Sequence, residues 1–336
     1  MERGEKLGIT MKELAKLAKV SQTAVSFVLT GRNGAHIAQS TRERILQLAK
    51  EHNYTPNLVA KGLRENKRFA IGVIMPAPDN DLFCSEVLTH LEVMLAARGY
   101  TAIFAFWPRV DNYDVEAPFR AVLRYGVDGI IAWEYHDCMK ESPVPISIYD
   151  YYDRGMEFDR AVLNFQKDAE TVVSHFEKLG HQKIGFVGPS DCLHLAALRQ
   201  KVPEHGLSMR KEWIIANPIP DNSLSEKQLR RLIESPDHPS AFFTPAENTA
   251  LFIITKLQGW GIRVPEDVSI CSRNKTKFFH MLLPLTTFDT HSEQLTENLV
   301  RMVLERIDGY SGPPRSFELY SEFILNKTTA KYQKGR

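Results

Sequence analysis

Gln22, Thr23, Ser26 and Thr30 recur at helical spacing with Phe27 among them, while Val25, Val28 and Leu29 take the opposite positions. On a helix this spacing separates an amide-and-hydroxyl face from an aliphatic one. Short amide and hydroxyl groups hydrogen-bond base edges and phosphate oxygens, and an exposed ring such as Phe27 suits the methyl groups of thymine. Packing within a small helical bundle is the other use for Phe27, and spacing alone leaves both open. Catalytic signatures give no competing reading. G-x-S-x-G, H-E-x-x-H, a Walker loop and G-x-G-x-x-G are all missing, and the 11 histidines are scattered. Gly259-Trp260-Gly261 reads as a helix C-cap turn, and His136-Asp137-Cys138 are three consecutive side chains that cannot converge on one metal. The sequence therefore gives an enzyme reading little support, and it implies no cofactor and no metal.

The elements that must hold the polar face start with Thr10-Met11-Lys12-Glu13, a capping box that opens a helix burying Met11, Leu14, Ala15 and Ala18. Lys19-Val20-Ser21 breaks it, and Ser21 caps the second helix, Gln22 to Leu29. A second capping box, Ser40-Thr41-Arg42-Glu43, opens a third helix that buries Ile45, Leu48, Ala49 and His52 and stops before Tyr54-Thr55-Pro56. Three short helices with small residues at the first corner make a helix-turn-helix, whose second helix enters the major groove by its N-terminal residues. After Pro56, Asn57 to Arg64 is a helix pattern weakened by Gly62, which costs about 1 kcal/mol relative to Ala in mid-helix. Such a segment suits a hinge that orders on DNA, with Leu63 as a minor-groove wedge.

Charge supports this division. Residues 1–68 hold 13 Lys/Arg against 6 Asp/Glu, and the remainder holds 29 against 35, although the net charge of the 336-residue chain is only +1. A basic head on a mildly acidic body is the distribution that phosphate binding uses. The longest apolar runs are far below membrane-spanning length and the N-terminus lacks a signal-peptide stretch, so the expected location is the cytoplasm, with no membrane partner. Cys84, Cys138, Cys192 and Cys271 are widely spaced and read as reduced, mostly buried thiols.

From Phe69 onward short β-rich runs alternate with helical ones, as in βαβ wiring with parallel sheets. The runs fall into two sets that predict two α/β lobes of similar size. Leu285 to Phe288, Ser292 to Ile307 and Glu318 to Ile324 are expected to cross back between them, leaving a cleft where strand ends converge.

The string from Ile9 to Gly31, the blocks Ser40 to Ile45 and Asn53 to Leu63, and then Leu179-Gly180-His181-Gln182-Lys183-Ile184-Gly185, Gly261-Ile262-Arg263-Val264-Pro265 and Pro284-Leu285-Thr286-Thr287-Phe288 together resemble the lac repressor/purine repressor family. The resemblance spans about residues 9–326. It implies a helix-turn-helix domain (1–56), a hinge helix and linker (57–68) and a periplasmic-binding-protein-like sensor (69–330) that binds effector and dimerises, followed by a tail (331–336). Lobe 1 would take residues 69–161 and 290–315, and lobe 2 residues 162–289 and 316–330. In this family pattern Gln22, Thr23 and Phe27 read bases, Thr10, Ser21 and Tyr54 hold the DNA backbone, and Ala60, Lys61 and Leu63 enter the central minor groove. The implied partners are double-stranded DNA carrying a pseudo-palindromic operator, a second copy of the chain, and a small-molecule effector.

The effector site departs from the family pattern. His194 stands where relatives carry an arginine, and Ser272-Arg273-Asn274 replaces their G-x-D. Phe83, Trp133, Glu134, Tyr135, Asn164, Ile219 and Glu247 complete the cleft candidates. With both charged anchors replaced, the expectation is a neutral, hydroxyl-bearing, carbohydrate-like ligand stacked on Trp133 or Tyr135 and hydrogen-bonded by His194, Asn164 and Asn274. A His194 contact would make affinity vary across about pH 5.5 to 7.5. Three other readings stay open: a regulator whose cleft has lost its effector, an intracellular ligand-binding module without specific DNA binding, and an enzyme on the same lobes.

Overall fold

The Thr10 hydroxyl accepts from the Glu13 backbone N–H (3.2 Å) while the Glu13 carboxylate accepts from the Thr10 N–H (2.7 Å), closing the first capping box. The computed structural model describes residues 9–30, 37–54, 62, 67–78, 81–107, 114–150, 154–190, 192–216 and 222–333. They fall into two compact units, divided between Arg68 and Phe69.

The first unit holds α1 (Met11–Leu17), α2 (Gln22–Thr30) and α3 (Gln39–Glu51). Leu14, Ala15, Ala18, Val25, Val28, Ile45 and Ala49 form its core. Lys19 takes a left-handed φ of 51° at the corner, and the Val20 N–H returns to the Ala15 carbonyl (3.0 Å), so the chain reverses within a few residues. The capping box expected at Ser40 is absent. The helix starts at Gln39 with Ala38 as an N-cap lacking a side-chain bond, and Gln39 instead donates to Glu43 one turn on (2.9 Å). His52, expected inside, is the exposed C-cap.

The second unit contains two parallel sheets. The larger orders β2 (Thr101–Trp107), β1 (Ala70–Pro76), β3 (Gly129–Ala132), β4 (Ile146–Tyr149), β5 (Asp159–Leu163) and β11 (Ser316–Leu319). Against it lie α4 (Leu82–Ala97), α5 (Glu116–Tyr125) and α11 (Ser292–Ile307), the last tied to β4 by a Ser147 hydroxyl bond to the Leu299 carbonyl (2.9 Å). The smaller sheet orders β7 (Ile214–Ala216), β6 (Ile184–Gly188), β8 (Ala241–Phe243) and β9 (Ser269–Cys271). Its helices are α6 (Phe165–Lys178), α7 (Leu193–Glu204), α8 (Asn222–Glu234) and α9 (Glu247–Gly259), with α10 (Lys277–Leu282) following Thr276. β10 (Thr287–Asp289) pairs antiparallel with β12 (Glu322–Ile324), outside both sheets.

Two expectations change. The strands divide six and four between the sheets, because β5, whose last residues were assigned to lobe 2, pairs with β4 in the larger sheet. The segment from residue 316, assigned to lobe 2, begins as a strand of lobe 1, because Ser316–Leu319 pairs with β5 along its whole length. Arg306 and Arg315 fix that edge by converging on the buried Asp159 carboxylate (2.8–3.0 Å), and they hold it down to a pKa of about 2 against the cost of burial. The cysteines are free thiols, with Cys84, Cys192 and Cys271 buried and Cys138 half-buried.

Candidate functional site

In the first unit the buried positions of α2 fix which residues face outward. Val25 and Val28 are nearly fully buried, so Gln22 and Thr23 are exposed and Ser26 and Phe27 half-buried at the edge of the same face. The Ser21 hydroxyl accepts from the Ala24 N–H (3.1 Å), capping the helix and leaving its first turn clear. Lys12, Lys16 and Lys19 are exposed along α1 and its corner, as cations serving a phosphate backbone must be. Tyr54 is half-buried against the three-helix core. Of the hinge candidates, Ala60, Lys61 and Leu63 lie outside the described residues, as does the side chain of Thr30.

In the second unit the junction between the lobes is built around a residue that the sequence reading passed over. Arg273, two residues past the end of β9, is only 1% exposed and ranks among the largest fully buried side chains. Its Nε donates to Asp168 on α6 (3.0 Å), one terminal nitrogen to the Asn274 amide oxygen (3.1 Å) and the other to the Ser321 hydroxyl (3.2 Å). Ser321 also donates to Asp168 (3.0 Å), and the guanidinium lies 5.4 Å from the centre of the Phe165 ring. Burial pushes the Tyr149 phenol of β4 up, and the charge of Arg273 partly offsets that. Lobe 1, lobe 2 and the segment crossing between them thus meet on one cation.

Aromatic rings extend from it in both directions. Tyr149 meets Trp133 edge-on at 4.8 Å and Trp133 meets Phe83 at 6.0 Å, while Phe165 meets His194 at 4.6 Å and His194 lies 6.0 Å from Phe243. His194 is 3% exposed, and burial first and the Arg273 charge second drive its pKa well below the ordinary value. It is therefore neutral across the range where it was expected to titrate, and it can give the cleft no pH response there.

Phe83, Glu247 and Asn274 do come together. With Asp81, Leu82, Ala246, Asn248 and Thr276 they line a pocket of about 10 Å³ between the N-termini of α4 and α9. Glu247 is 4% exposed, and its Oε2 accepts from both the N–H and the hydroxyl of Thr276 (2.8 Å each). Burial, with smaller contributions from Glu86 and Asp289, raises its pKa to about 7. Close by, the Lys277 N–H donates to Glu86 of α4 (2.9 Å), a direct bond between the lobes.

The remaining candidates are engaged elsewhere. Glu134 lies 3.0 Å from a ring nitrogen of His136, and Tyr135 donates to Asp137 (2.6 Å) with its ring against Phe158. Asn164 caps α6 by accepting from the Lys167 N–H (2.8 Å) and donates to Glu318 (2.7 Å). Ile219 lies outside the described residues. Sequence reasoning missed Asp81, Thr276 and the Arg273 network. The available signal was an arginine two residues past a strand of wholly apolar and small residues, where only a buried partner makes the charge tolerable.

Residues 10–57 match the family described as bacterial regulatory proteins, lacI family, and residues 173–329 match a periplasmic binding protein-like domain. The chain is 27% identical to the HTH-type transcriptional repressor PurR of Aliivibrio salmonicida, over 96% of this chain and 99% of that one, and 26% identical to PurR of Vibrio vulnificus over the same shares. Its fold is shared with the lac repressor dimer bound to operator and an anti-inducer (TM-score 0.77, 21% identity, 96% of this chain and 99% of that one). It is also shared with a complex of the transcriptional regulator CelR with cellobiose (TM-score 0.66, 20% identity, 95% and 99%). Among the described residues no helix is long and apolar enough to cross a membrane.

Proposed function

We propose, from the premise that this chain belongs to the lacI family of bacterial regulatory proteins, that it is a sequence-specific DNA-binding transcriptional repressor governed by a small molecule held between its sensor lobes. It is a regulator and not an enzyme. The observation that carries this reading is α2, capped by Ser21, presenting Gln22 and Thr23 to solvent while its aliphatic face closes the core.

In this proposal Gln22, Thr23, Ser26 and Phe27 read base edges in the major groove, and Thr10, Ser21, Thr30 and Tyr54 hold the phosphate backbone. Ala60, Lys61 and Leu63 serve the central minor groove. The protein acts in the cytoplasm as a homodimer on a pseudo-palindromic operator, since a two-fold protein matches two-fold DNA and one head buries too little surface for tight specific binding. Leu251 of α9 and Phe278, Met281 and Leu282 of α10 support the dimer. These apolar residues are 40–80% exposed, and the Thr276 bonds to Glu247 hold the starts of the two helices together. The effector is a hydroxyl-bearing, carbohydrate-like molecule. Phe83, Glu247 and Asn274 form its site, with Trp133 behind Phe83.

Arg273 favours one competing reading. With protein partners on every arm of its guanidinium, it supports a repressor whose lobes stay joined without any ligand. Fluorescence anisotropy of the full chain on DNA from upstream of its own coding region, with and without a sugar panel, tests the proposal. Specific binding that weakens steeply with salt and shifts with a ligand is expected. Binding indifferent to DNA sequence would contradict the repressor, and specific binding indifferent to every ligand would favour the Arg273-held alternative.

A further inference from the structure

The pocket between the N-termini of α4 and α9 has room for a single group about the size of a water molecule. Glu247 supplies its chemistry. The side chain is 96% shielded from solvent, Oε2 is saturated by Thr276, and Oε1 has no hydrogen-bond partner among the described residues. A buried carboxylate oxygen left in this way is costly unless something donates to it.

The other charges facing the pocket decide what kind of donor fits. Asp81 lines the wall and caps α4 by accepting from the Cys84 N–H (3.1 Å). Glu86 approaches from α4, and Asp289 from β10 with Lys275 on its carboxylate (3.0 Å). Lys277 contributes its backbone N–H to Glu86. The Arg273 guanidinium is turned toward Asp168 and Ser321, and it reaches the pocket only through the oxygen of Asn274. The side-chain charges around Glu247 are thus mostly carboxylates, with Lys275 committed to Asp289 and no Lys or Arg among the described residues lining the pocket, and they set a negative side-chain field against the positive N-terminal ends of α4 and α9. A hydroxyl group of the ligand would satisfy Oε1 but leave that field uncompensated, whereas an ammonium group of similar size answers both.

We propose that this pocket receives a protonated amino group of the effector on Glu247, so that the effector is an amino-bearing polyol, such as an amino sugar, and not a neutral or anionic sugar. This rests on the reading that the cleft is ligand-controlled and makes its chemistry specific. Because Glu247 holds a proton up to about pH 7, a cation landing on Oε1 expels that proton to solvent, and affinity rises with pH through that value.

The test is thermal shift and calorimetry on the full chain with aminoalditols and amino sugars beside their hydroxyl and N-acetyl counterparts. The aminoalditols stay protonated throughout, so any pH response belongs to the protein. At least one amine should bind more than tenfold tighter than its matched neutral forms. Its affinity should rise roughly tenfold between about pH 6 and about pH 8. Glu247→Gln should abolish both the preference and the pH response. Neutral sugars binding as well as amines, or Glu247→Gln leaving amine affinity unchanged, overturns the amine assignment alone. Silence from amines and neutral sugars together removes the ligand-controlled reading with it.

Discussion

Arg273 brings a full positive charge into the junction between the lobes, and its value lies in what its removal would strand. Asp168 is 3% exposed and would lose its cation. Arg273→Ala should cost about 3 to 5 kcal/mol in denaturant unfolding of the full chain. Arg273→Met with Asp168→Asn should recover most of that, because no buried charge is left alone. Two other buried groups act on stability with opposite signs. His181 is 2% exposed and lies between the Ser240 hydroxyl (2.8 Å), the Ser269 hydroxyl (3.1 Å) and the Ala330 carbonyl (3.2 Å). Burial lowers its pKa from 6.5 to about 4. Between those values the unfolded chain binds the proton and the folded one does not, so this stability is complete above 6.5 and is lost as pH falls toward 4. Glu247, raised from 4.5 to about 7, keeps its proton when folded, and its contribution declines as pH rises through that window. Each amounts to up to about 3 kcal/mol, and they oppose each other where the windows overlap. Unfolding free energy measured against pH should therefore tilt downward with rising pH in His181→Gln and upward in Glu247→Gln. Parallel profiles for the two variants would refute both assignments. The Leu179-Gly180-His181 block was legible in the sequence as a resemblance. Its physical work, joining β8, β9 and the C-terminal segment, was not, because Ser240, Ser269 and Ala330 lie 59 to 149 residues away. The same holds for Arg273, whose partner Asp168 is 105 residues distant.

At the scale of elements, α2 is a helix whose two faces have different obligations. Gln22 sits at its first position and is exposed, so Gln22→Ala removes a side chain that can bond adenine at two points without disturbing the Val25 and Val28 core. It should cost about 1 to 3 kcal/mol at one base pair of each half-site. A systematic single-base substitution of the operator measures this. Loss spread evenly over all positions would mean that Gln22 holds phosphate and does not read sequence. The helices of this unit were legible because capping and apolar spacing are local signals, as the Thr10–Glu13 box demonstrates. The box at Ser40 misled because Gln39 and Glu43 can bond across a turn and carry the helix two residues further back. The split of Glu318–Ile324 was hidden for a different reason. Whether Ser316–Leu319 joins the larger sheet depends on β5 being there to pair with it, and Tyr320-Ser321 looks no different from strand sequence until Ser321 is seen turning to Asp168 and Arg273.

At the scale of the whole molecule, the basic first 68 residues and the mildly acidic remainder are one chain with two tasks, and dimerisation would couple them. Met281 is 80% exposed and Leu251 40%. Leu251→Asp with Met281→Asp should give a folded monomer by sedimentation at micromolar concentration, with operator affinity reduced at least a hundredfold and the unfolding transition of the sensor unchanged. A variant that stays dimeric would place the interface elsewhere. A repressor of this kind must choose DNA by sequence. The most direct measurement is therefore selection of bound fragments from a random double-stranded library by the full-length protein at physiological salt. Enrichment of one pseudo-palindrome, with half-sites whose preference changes at a single position in Gln22→Ala, is the predicted result. A library that emerges without enriched sequence, or an enriched site indifferent to every substitution on α2, would contradict it.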